Sequence, residues 1–60
     1  MTPADLKTAR LALGLTQQGL ANALDISRVM VGLMERGSKS IERRTELAVK
    51  FLLEQKQNEK

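Results

Sequence analysis

The chain has 60 residues and no cysteine or histidine, and ten Lys and Arg residues against seven Asp and Glu residues give it a net charge of +3. A chain of this length forms one domain, and the missing residue types exclude disulfides, Cys/His zinc sites and histidine-assisted nucleophiles. No apolar run approaches the roughly 18 residues of a transmembrane helix and no signal-peptide core is present, so we expect a cytoplasmic protein.

Two short helices are predicted in the first half of the chain. The first covers about residues 3–13, with Thr2 as its N-cap, and Gly14 ends it. The second begins after Thr16, another good N-cap, and continues to residue 24 with its apolar residues on one face. No segment shows the alternating pattern of a strand, so the sequence predicts an all-α fold.

A third helix follows after a very short connection. Asp25 is a tolerable residue for a left-handed turn position, although glycine would adopt that conformation more easily. Ser27 is a plausible N-cap, the helix extends to about Arg36, and Gly37 is suited to end it. Two short helices joined by a turn of three or four residues form a helix-turn-helix.

The last predicted helix covers about residues 42–55 and is apolar over more than half of its circumference. Its apolar residues are Leu47, Ala48, Val49, Phe51, Leu52 and Leu53. One helix of so small a monomer cannot bury all of them, so it either packs on a partner or leaves an exposed patch. We predict a two-fold dimer through Val49 and Leu53. The predicted domain spans residues 1–56, and residues 57–60 form a polar tail that frays.

The third helix has an apolar outer face, which is unusual. On a helical wheel Val31 and Met34 lie on the core side, whereas Val29 and Leu33 lie on the side that should be exposed. The thymine methyl group is the apolar feature of the DNA major groove, so Val29 and Leu33 are candidates for thymine contacts. The alternative is that they cover the surface of a neighbouring protein.

Positive charge is concentrated between residues 28 and 44. This segment holds five basic residues against two acidic ones, and the excess of three equals the net charge of the whole chain. The basic residues are Arg28, Arg36, Lys39, Arg43 and Arg44. Such a cluster favours a polyanion as partner, and a solvated charged face is the alternative.

The segment LGLTQQGLANALDISRVMVGLMERG, residues 13–37, resembles the helix-turn-helix domain of the phage repressor and Cro superfamily, also called the XRE family. The first helix and the segment IERRTELAVKFLLEQ resemble it more loosely. The resemblance implies a lambda-repressor-like bundle of four or five helices that is dimeric on double-stranded DNA and needs no cofactor. Small members of this kind are common in phages and mobile elements.

Position by position, the resemblance also implies roles for individual residues. The base-reading face would consist of Arg28, Val29, Gly32 and Leu33. The DNA backbone contacts would come from Gln17, Arg36, Lys39, Arg43 and Arg44. Arg28 is a candidate reader of guanine, with a phosphate contact or a solvated rim position as alternatives. Gln17 is otherwise a solvated residue at a helix start, and Arg43 and Arg44 would meet either phosphate or the minor groove.

Arg10 and Glu35 stand where some members of the superfamily keep a partly buried ion pair. Each lies beside the core face of its helix, where a charge needs a partner, although two separate surface charges are the alternative. The sequence departs from the family at three points. Asp25 replaces the usual turn glycine, Gly19 stands where a glutamate would complete a capping box with Thr16, and the recognition face is apolar.

These features predict a sequence-specific transcriptional regulator, most simply a dimeric autorepressor that binds a pseudo-palindromic operator through the major groove. The alternative is an antitoxin-like or other protein-interaction module, whose third helix docks on a partner such as a toxin. An enzyme is the least favoured class, because the sequence has no carboxylate cluster and no phosphate-binding glycine loop. Neither a membrane nor a small-molecule substrate is expected as a partner.

Overall fold

A computed structural model of the protein describes residues 1–58 and contains four α-helices and no strand in that range. The helices are α1 (Pro3–Ala12), α2 (Gln17–Leu24), α3 (Arg28–Arg36) and α4 (Arg43–Asn58). The predicted all-α class is confirmed, and the described residues form four helices, the lower of the two numbers expected. Within the described range, none of these helices is both long enough and apolar enough to cross a membrane.

The first helix begins at a capping box. The Thr2 hydroxyl accepts a hydrogen bond from the Asp5 backbone N–H at 3.1 Å, and the Thr2 N–H donates to the Asp5 carboxylate at 3.2 Å. Pro3 occupies the first helical position, where its missing N–H costs nothing. At the other end Gly14 adopts a φ of +71°, a left-handed conformation that allows the chain to turn towards α2.

The connection between α2 and α3 consists of three residues, as the helix-turn-helix prediction requires. Asp25 ends α2 with a φ of 58° and a ψ of 43°, so it does adopt the left-handed conformation that usually falls to glycine. The next N–H, that of Ile26, donates back to the Ala21 carbonyl at 2.9 Å. Ser27 then caps α3 by accepting from the Met30 N–H at 3.1 Å. The turn is therefore fixed by its own hydrogen bonds at both ends.

The core lies between all four helices and is small. Its fully or almost fully buried side chains are Leu6, Ala9, Leu20, Ala21, Val31, Met34 and Val49. Val31 and Met34 are thus on the core face of α3, as predicted. Because α3 contacts both α1 and α2, the orientation of its opposite face is determined by these buried contacts.

The structure corrects the predicted role of Val49. Its side chain is completely buried within the chain, so it offers no surface to a second copy. Leu53 is half-buried. The exposed apolar residues of α4 are instead Leu47 and Phe51, which lie on the opposite side of the helix and are 53% and 57% exposed. The helical wheel had located the apolar arc of α4 correctly but not the part of the arc that faces the core.

The fourth helix is longer than predicted, since it continues through Asn58 rather than ending near residue 55. It therefore extends into the segment 57–60 that the sequence suggested would fray. Residues 59–60 of that segment lie outside the described residues, so the fraying of the tail and the domain end at residue 56 stay predictions.

Substitution of Val49 tests whether this residue of α4 belongs to the core. We expect Val49→Ala to lower the free energy of unfolding by about 2 kcal/mol, because it removes two buried methyl groups and leaves a cavity. Leu11→Ala is the matched control, since Leu11 is 60% exposed, and its effect should stay within about 0.5 kcal/mol. Urea unfolding followed by circular dichroism measures both, and equal effects would contradict the assignment of Val49 to the core.

Candidate nucleic-acid interface

An ion pair between Arg10 and Glu35 joins α1 to the end of α3. The Arg10 Nε lies 2.7 Å from one carboxylate oxygen of Glu35, and its Nη2 lies 3.3 Å from the other, so the contact is bidentate. The two side chains are only 11% and 6% exposed. Arg10 also donates from Nη1 to the Leu15 carbonyl at 2.9 Å. The guanidinium therefore fixes the position of α3 against α1 and against the segment that leads into α2.

Gln17, the first residue of α2, extends this network towards the surface. Its Nε2 donates to the Glu35 carboxylate at 3.2 Å, and its Oε1 accepts from the Arg28 Nη1 at 3.5 Å. A chain of side-chain contacts thus leads from the largely buried side chain of Arg10 to the exposed Arg28 at the start of α3. This role of Gln17 could not be predicted from the sequence, because its two partners are 18 and 11 residues away and belong to a different helix.

The network also determines the charge state of Glu35. Burial alone raises the pKa of this carboxyl, because it disfavours the charged form. Hydrogen bonds from Arg10 and Gln17, together with the positive charge of Arg10, outweigh that effect and hold the pKa below its ordinary value. Glu35 is consequently ionised throughout the neutral pH range.

A groove of about 310 Å³ opens on the outer side of α3. It is lined by Gln17, Arg28, Val29, Gly32 and Arg36. Three of the four predicted base-reading residues therefore share one depression with two of the predicted backbone-contacting residues. We call this depression the α3 groove. Its only apolar side chain is that of Val29, which is 65% exposed.

Gly32 leaves part of the α3 groove empty. A Cβ atom built at this position meets no other heavy atom within 4 Å, so the glycine is not required by packing. Glycine in the interior of a helix costs about 0.5–1 kcal/mol relative to alanine. Packing around the missing Cβ therefore does not account for this glycine, and the backbone of α3 is open at this point.

Leu33 differs from the other three residues of the predicted base-reading face. It is half-buried rather than exposed, and it is not among the residues that line the α3 groove. Its carbonyl accepts hydrogen bonds from the Ser38 and Lys39 N–H groups at 2.9 and 3.3 Å, which closes the end of α3. The helical wheel places Leu33 near Val29, but the structure leaves Leu33 only partly exposed.

The remaining basic residues lie near the start of α4. Lys39 and Arg44 line a second cleft of about 440 Å³, whose floor includes Met30 and Met34. Arg43 and Arg44 are exposed in the first turn of α4. The N-terminus of a helix is the positive end of its dipole, so cations there are unfavourable by a few tenths of a kcal/mol each. The charge of Arg43 therefore does not serve the stability of α4, and Arg44 forms an exposed ion pair with Glu42 at 3.4 Å.

One contact outside these surfaces was also absent from the sequence-based expectations. The amino group of Met1 lies 3.2 Å from the Glu46 carboxylate, which also contacts Lys50 at 3.0 Å. The hydrogen bond from Lys50, followed by that from the amino group, lowers the pKa of Glu46. In the described part of the chain, no cluster of Asp and Glu residues could hold a metal ion.

Comparison with known proteins gives one match. A family model described as Helix-turn-helix matches residues 6–48, a range that extends from within α1 into the first turns of α4. The matched range includes the turn, the α3 groove and the Arg10–Glu35 pair. Neither the curated proteins nor the solved structures contain a significant match to the chain.

Removal of Glu35 should destabilise the fold strongly. In Glu35→Ala the Arg10 guanidinium stays largely buried without a counter-charge, and we expect the free energy of unfolding to fall by about 3 kcal/mol. Glu42→Ala removes the partner of an exposed ion pair with Arg44 and should cost less than about 0.5 kcal/mol. Urea unfolding at pH 7 measures both, and similar losses would contradict a structural role for the buried pair.

The lowered pKa of Glu35 also gives the pair a pH dependence. A carboxyl whose pKa is lower in the folded than in the unfolded chain adds to the free energy of unfolding. This contribution is complete above the pKa in the unfolded chain, about 4.3, and is lost as the pH falls through the pKa in the folded chain. Stability should therefore fall on acidification in this range. The free energy of unfolding of Glu35→Gln should fall less steeply on acidification than that of the unchanged chain. Equal slopes would indicate that other carboxyls dominate the pH dependence.

Alanine substitutions at two glycines should have opposite effects on stability. Gly32→Ala should raise the free energy of unfolding by about 0.5–1 kcal/mol, since the position is open and helical. This gain corresponds to a rise of roughly 4 °C in the midpoint of thermal unfolding. Gly37→Ala should lower it by about 1 kcal/mol, because Gly37 has a φ of +81°. Thermal unfolding measures both changes, and a loss of stability in Gly32→Ala would show that packing requires the glycine.

Proposed function

The chain belongs to the helix-turn-helix family of the phage repressor and Cro type, and from this premise we propose that it is a sequence-specific repressor that binds DNA as a dimer. Family membership makes it a DNA-binding regulator in general terms. The observation that carries the more specific proposal is the α3 groove. It combines an arginine, an exposed valine and an open stretch of backbone on the free face of a helix whose other face is buried.

We propose that α3 enters the major groove of DNA, which is about 12 Å wide and admits one helix. Val31 and Met34 anchor the inner face of α3 in the core, so the helix can be inserted as a rigid unit. Arg28 and Val29 belong to its first turn, which is where recognition helices of this class contact base edges. Arg28 suits the bidentate contact with guanine that carries about 1–3 kcal/mol of discrimination.

Contacts with the DNA backbone would come from both sides of α3. Gln17 at the start of α2 and Arg36 at the end of α3 border the α3 groove. Lys39, Arg43 and Arg44 add exposed positive charge beyond it. Each phosphate contact contributes affinity for every DNA sequence, and each adds about 0.9 to the slope of log K against log salt concentration.

A dimer would use the outer face of α4 rather than the face first predicted. Leu47 and Phe51 are both more than half exposed and lie one turn apart, so they form a small apolar patch that no described residue of the chain buries. Two-fold pairing of two such patches would cover them and would present two copies of α3. Half-sites would then lie about one turn of DNA apart, in a pseudo-palindromic operator. Occupation of such an operator within a promoter excludes polymerase sterically.

The test is selection from a random library of DNA duplexes, followed by titration of the selected duplex by fluorescence anisotropy. We expect an inverted repeat that is bound by two chains at least about 10³-fold more tightly than a scrambled duplex. Arg28→Ala should lower the affinity for the selected duplex by about 10-fold or more and relax preference at one base pair. Arg43→Ala is the matched arginine variant and should weaken binding to both duplexes alike, with a smaller salt slope.

One result would contradict the repressor proposal, and two others would contradict parts of it. If the library yields no enriched sequence and all duplexes are bound weakly and equally, then α3 does not read bases. If Arg28→Ala and Arg43→Ala behave identically, then Arg28 is a backbone contact. A stoichiometry of one chain per selected duplex would contradict only the proposed dimer.

A further inference from the structure

We propose that the second cleft, beside Lys39 and Arg44, is filled by the side chain of Phe51 from a second copy of the chain. The inference rests on the proposed function, because it specifies how the two copies of the proposed dimer meet. It goes further by assigning an occupant to a cleft whose apolar lining the proposed DNA contacts do not use. The cleft measures about 440 Å³, and we call it the methionine cleft because Met30 and Met34 line it.

The lining of the methionine cleft suits an aromatic ring. Methionine side chains are unbranched and polarisable, so they adapt to an inserted group and make favourable sulfur–aromatic contacts. The volume of the cleft lies in the range of pockets that hold whole small molecules, so a single phenyl ring fits within it. The other apolar residues that line it are Leu24, Ile26 and Ala48.

Phe51 is the exposed group that matches this cleft. It is the only aromatic residue of the sequence, and its side chain is 57% exposed. It lies one helical turn from Ala48, so the patch that it forms with Leu47 adjoins the methionine cleft on α4. Phe51 does not line the cleft of its own chain. Each copy therefore carries an exposed ring and an open apolar cleft side by side on one surface.

Two-fold pairing of α4 in opposite directions brings the ring of one copy to the cleft of the other. In a two-fold interface every contact occurs twice, with the two residues exchanged between the copies. When the axis passes between Leu47 and Ala48, Leu47 faces the small Ala48 of the second copy. Phe51 lies three residues beyond Ala48, and Arg44 lies three residues before Leu47, so the two face each other. Arg44, Thr45 and Ala48 line the methionine cleft, and Phe51 of the second copy enters beside them.

The distribution of charge favours this antiparallel pairing over a parallel one. Parallel pairing would place the exposed cations Arg43 and Arg44 of the two copies against each other. Antiparallel pairing places Arg44 against the ring of Phe51, whose face attracts a cation. It also brings Arg44 near the exposed Glu54, which follows Phe51 by one turn. The methionine cleft and the α3 groove share no lining residue, so both copies of the α3 groove stay open.

The decisive measurement is the ring-current shift that Phe51 produces in nuclear magnetic resonance spectra of the free protein. Because the chain has one aromatic residue, a ring beside a methionine methyl group is that of Phe51. With isotope-labelled methionine methyl groups, we expect the Met30 signal to move upfield as the protein concentration rises. Met1 does not line the cleft, so its signal is the internal control. Phe51→Leu keeps an apolar side chain without a ring and should abolish the shift.

A second measurement gives the contribution of the ring to affinity. Sedimentation equilibrium measures the dissociation constant of the dimer, and Phe51→Ala should raise it about 30-fold, as expected for an aromatic residue buried at an interface. Met30→Ala leaves the patch on α4 intact and should raise it about 10-fold through the lost sulfur–aromatic contact. Leu11→Ala is the matched apolar control on α1 and should leave the dissociation constant unchanged. Circular dichroism melting of each variant confirms that the fold is unchanged.

The outcomes separate this inference from the proposed function. If the dimer depends on Phe51 but the Met30 signal does not move, the two apolar patches pair with each other and the assignment of the cleft is wrong. If Phe51→Ala leaves the dissociation constant unchanged, the dimer uses another surface and the inference is wrong. If the free protein stays monomeric, the cleft accepts no second copy and the inference again fails. In each case the repressor proposal is decided separately, by whether the DNA library yields an enriched sequence.

Discussion

The Arg10–Glu35 ion pair is the interaction on which the recognition surface depends. It joins the end of α1 to the end of α3, and a third member, Gln17, bonds the same carboxylate from the start of α2. Three helices thereby converge on one carboxylate. In a domain whose core holds seven small or medium-sized side chains, hydrophobic packing alone leaves helices some freedom to slide. A bidentate, nearly buried contact removes that freedom because it has one geometry.

The helix α3 performs two tasks on two faces. Its inner face, with Val31 and Met34, is part of the core, while its outer face borders the α3 groove. The residues on the outer face are unfavourable or neutral for the fold, as the helical Gly32 shows. The same is true of Arg43 and Arg44 at the positive end of the dipole of α4. Local choices that oppose stability therefore coincide with the surface proposed to bind DNA.

Much of this architecture was accessible from the sequence. Helix ends followed from local chemistry, since Thr2 and Ser27 cap their helices as side-chain acceptors and Asp25 tolerates a left-handed turn. The faces of the amphipathic α3 followed from its periodicity. For α4 the same reasoning failed at Val49, because an apolar arc wider than half a helix does not reveal which part of it meets the core. The bond between Gln17 and its partners could not be predicted either, because it depends on how α2 and α3 cross.

The separation of the two faces of α3 has a consequence for how such a protein changes over evolutionary time. The side chains that α3 itself contributes to the α3 groove add no buried apolar area to the core, so substitutions of these residues leave the fold close to its original stability. A nine-residue helix can then acquire a different target preference without first passing through an unstable intermediate. Gly32 can also be substituted without loss of stability, because most side chains placed there would extend into open space and would improve the helix. Under the proposed function, new specificities would therefore be accessible from this scaffold in single mutational steps.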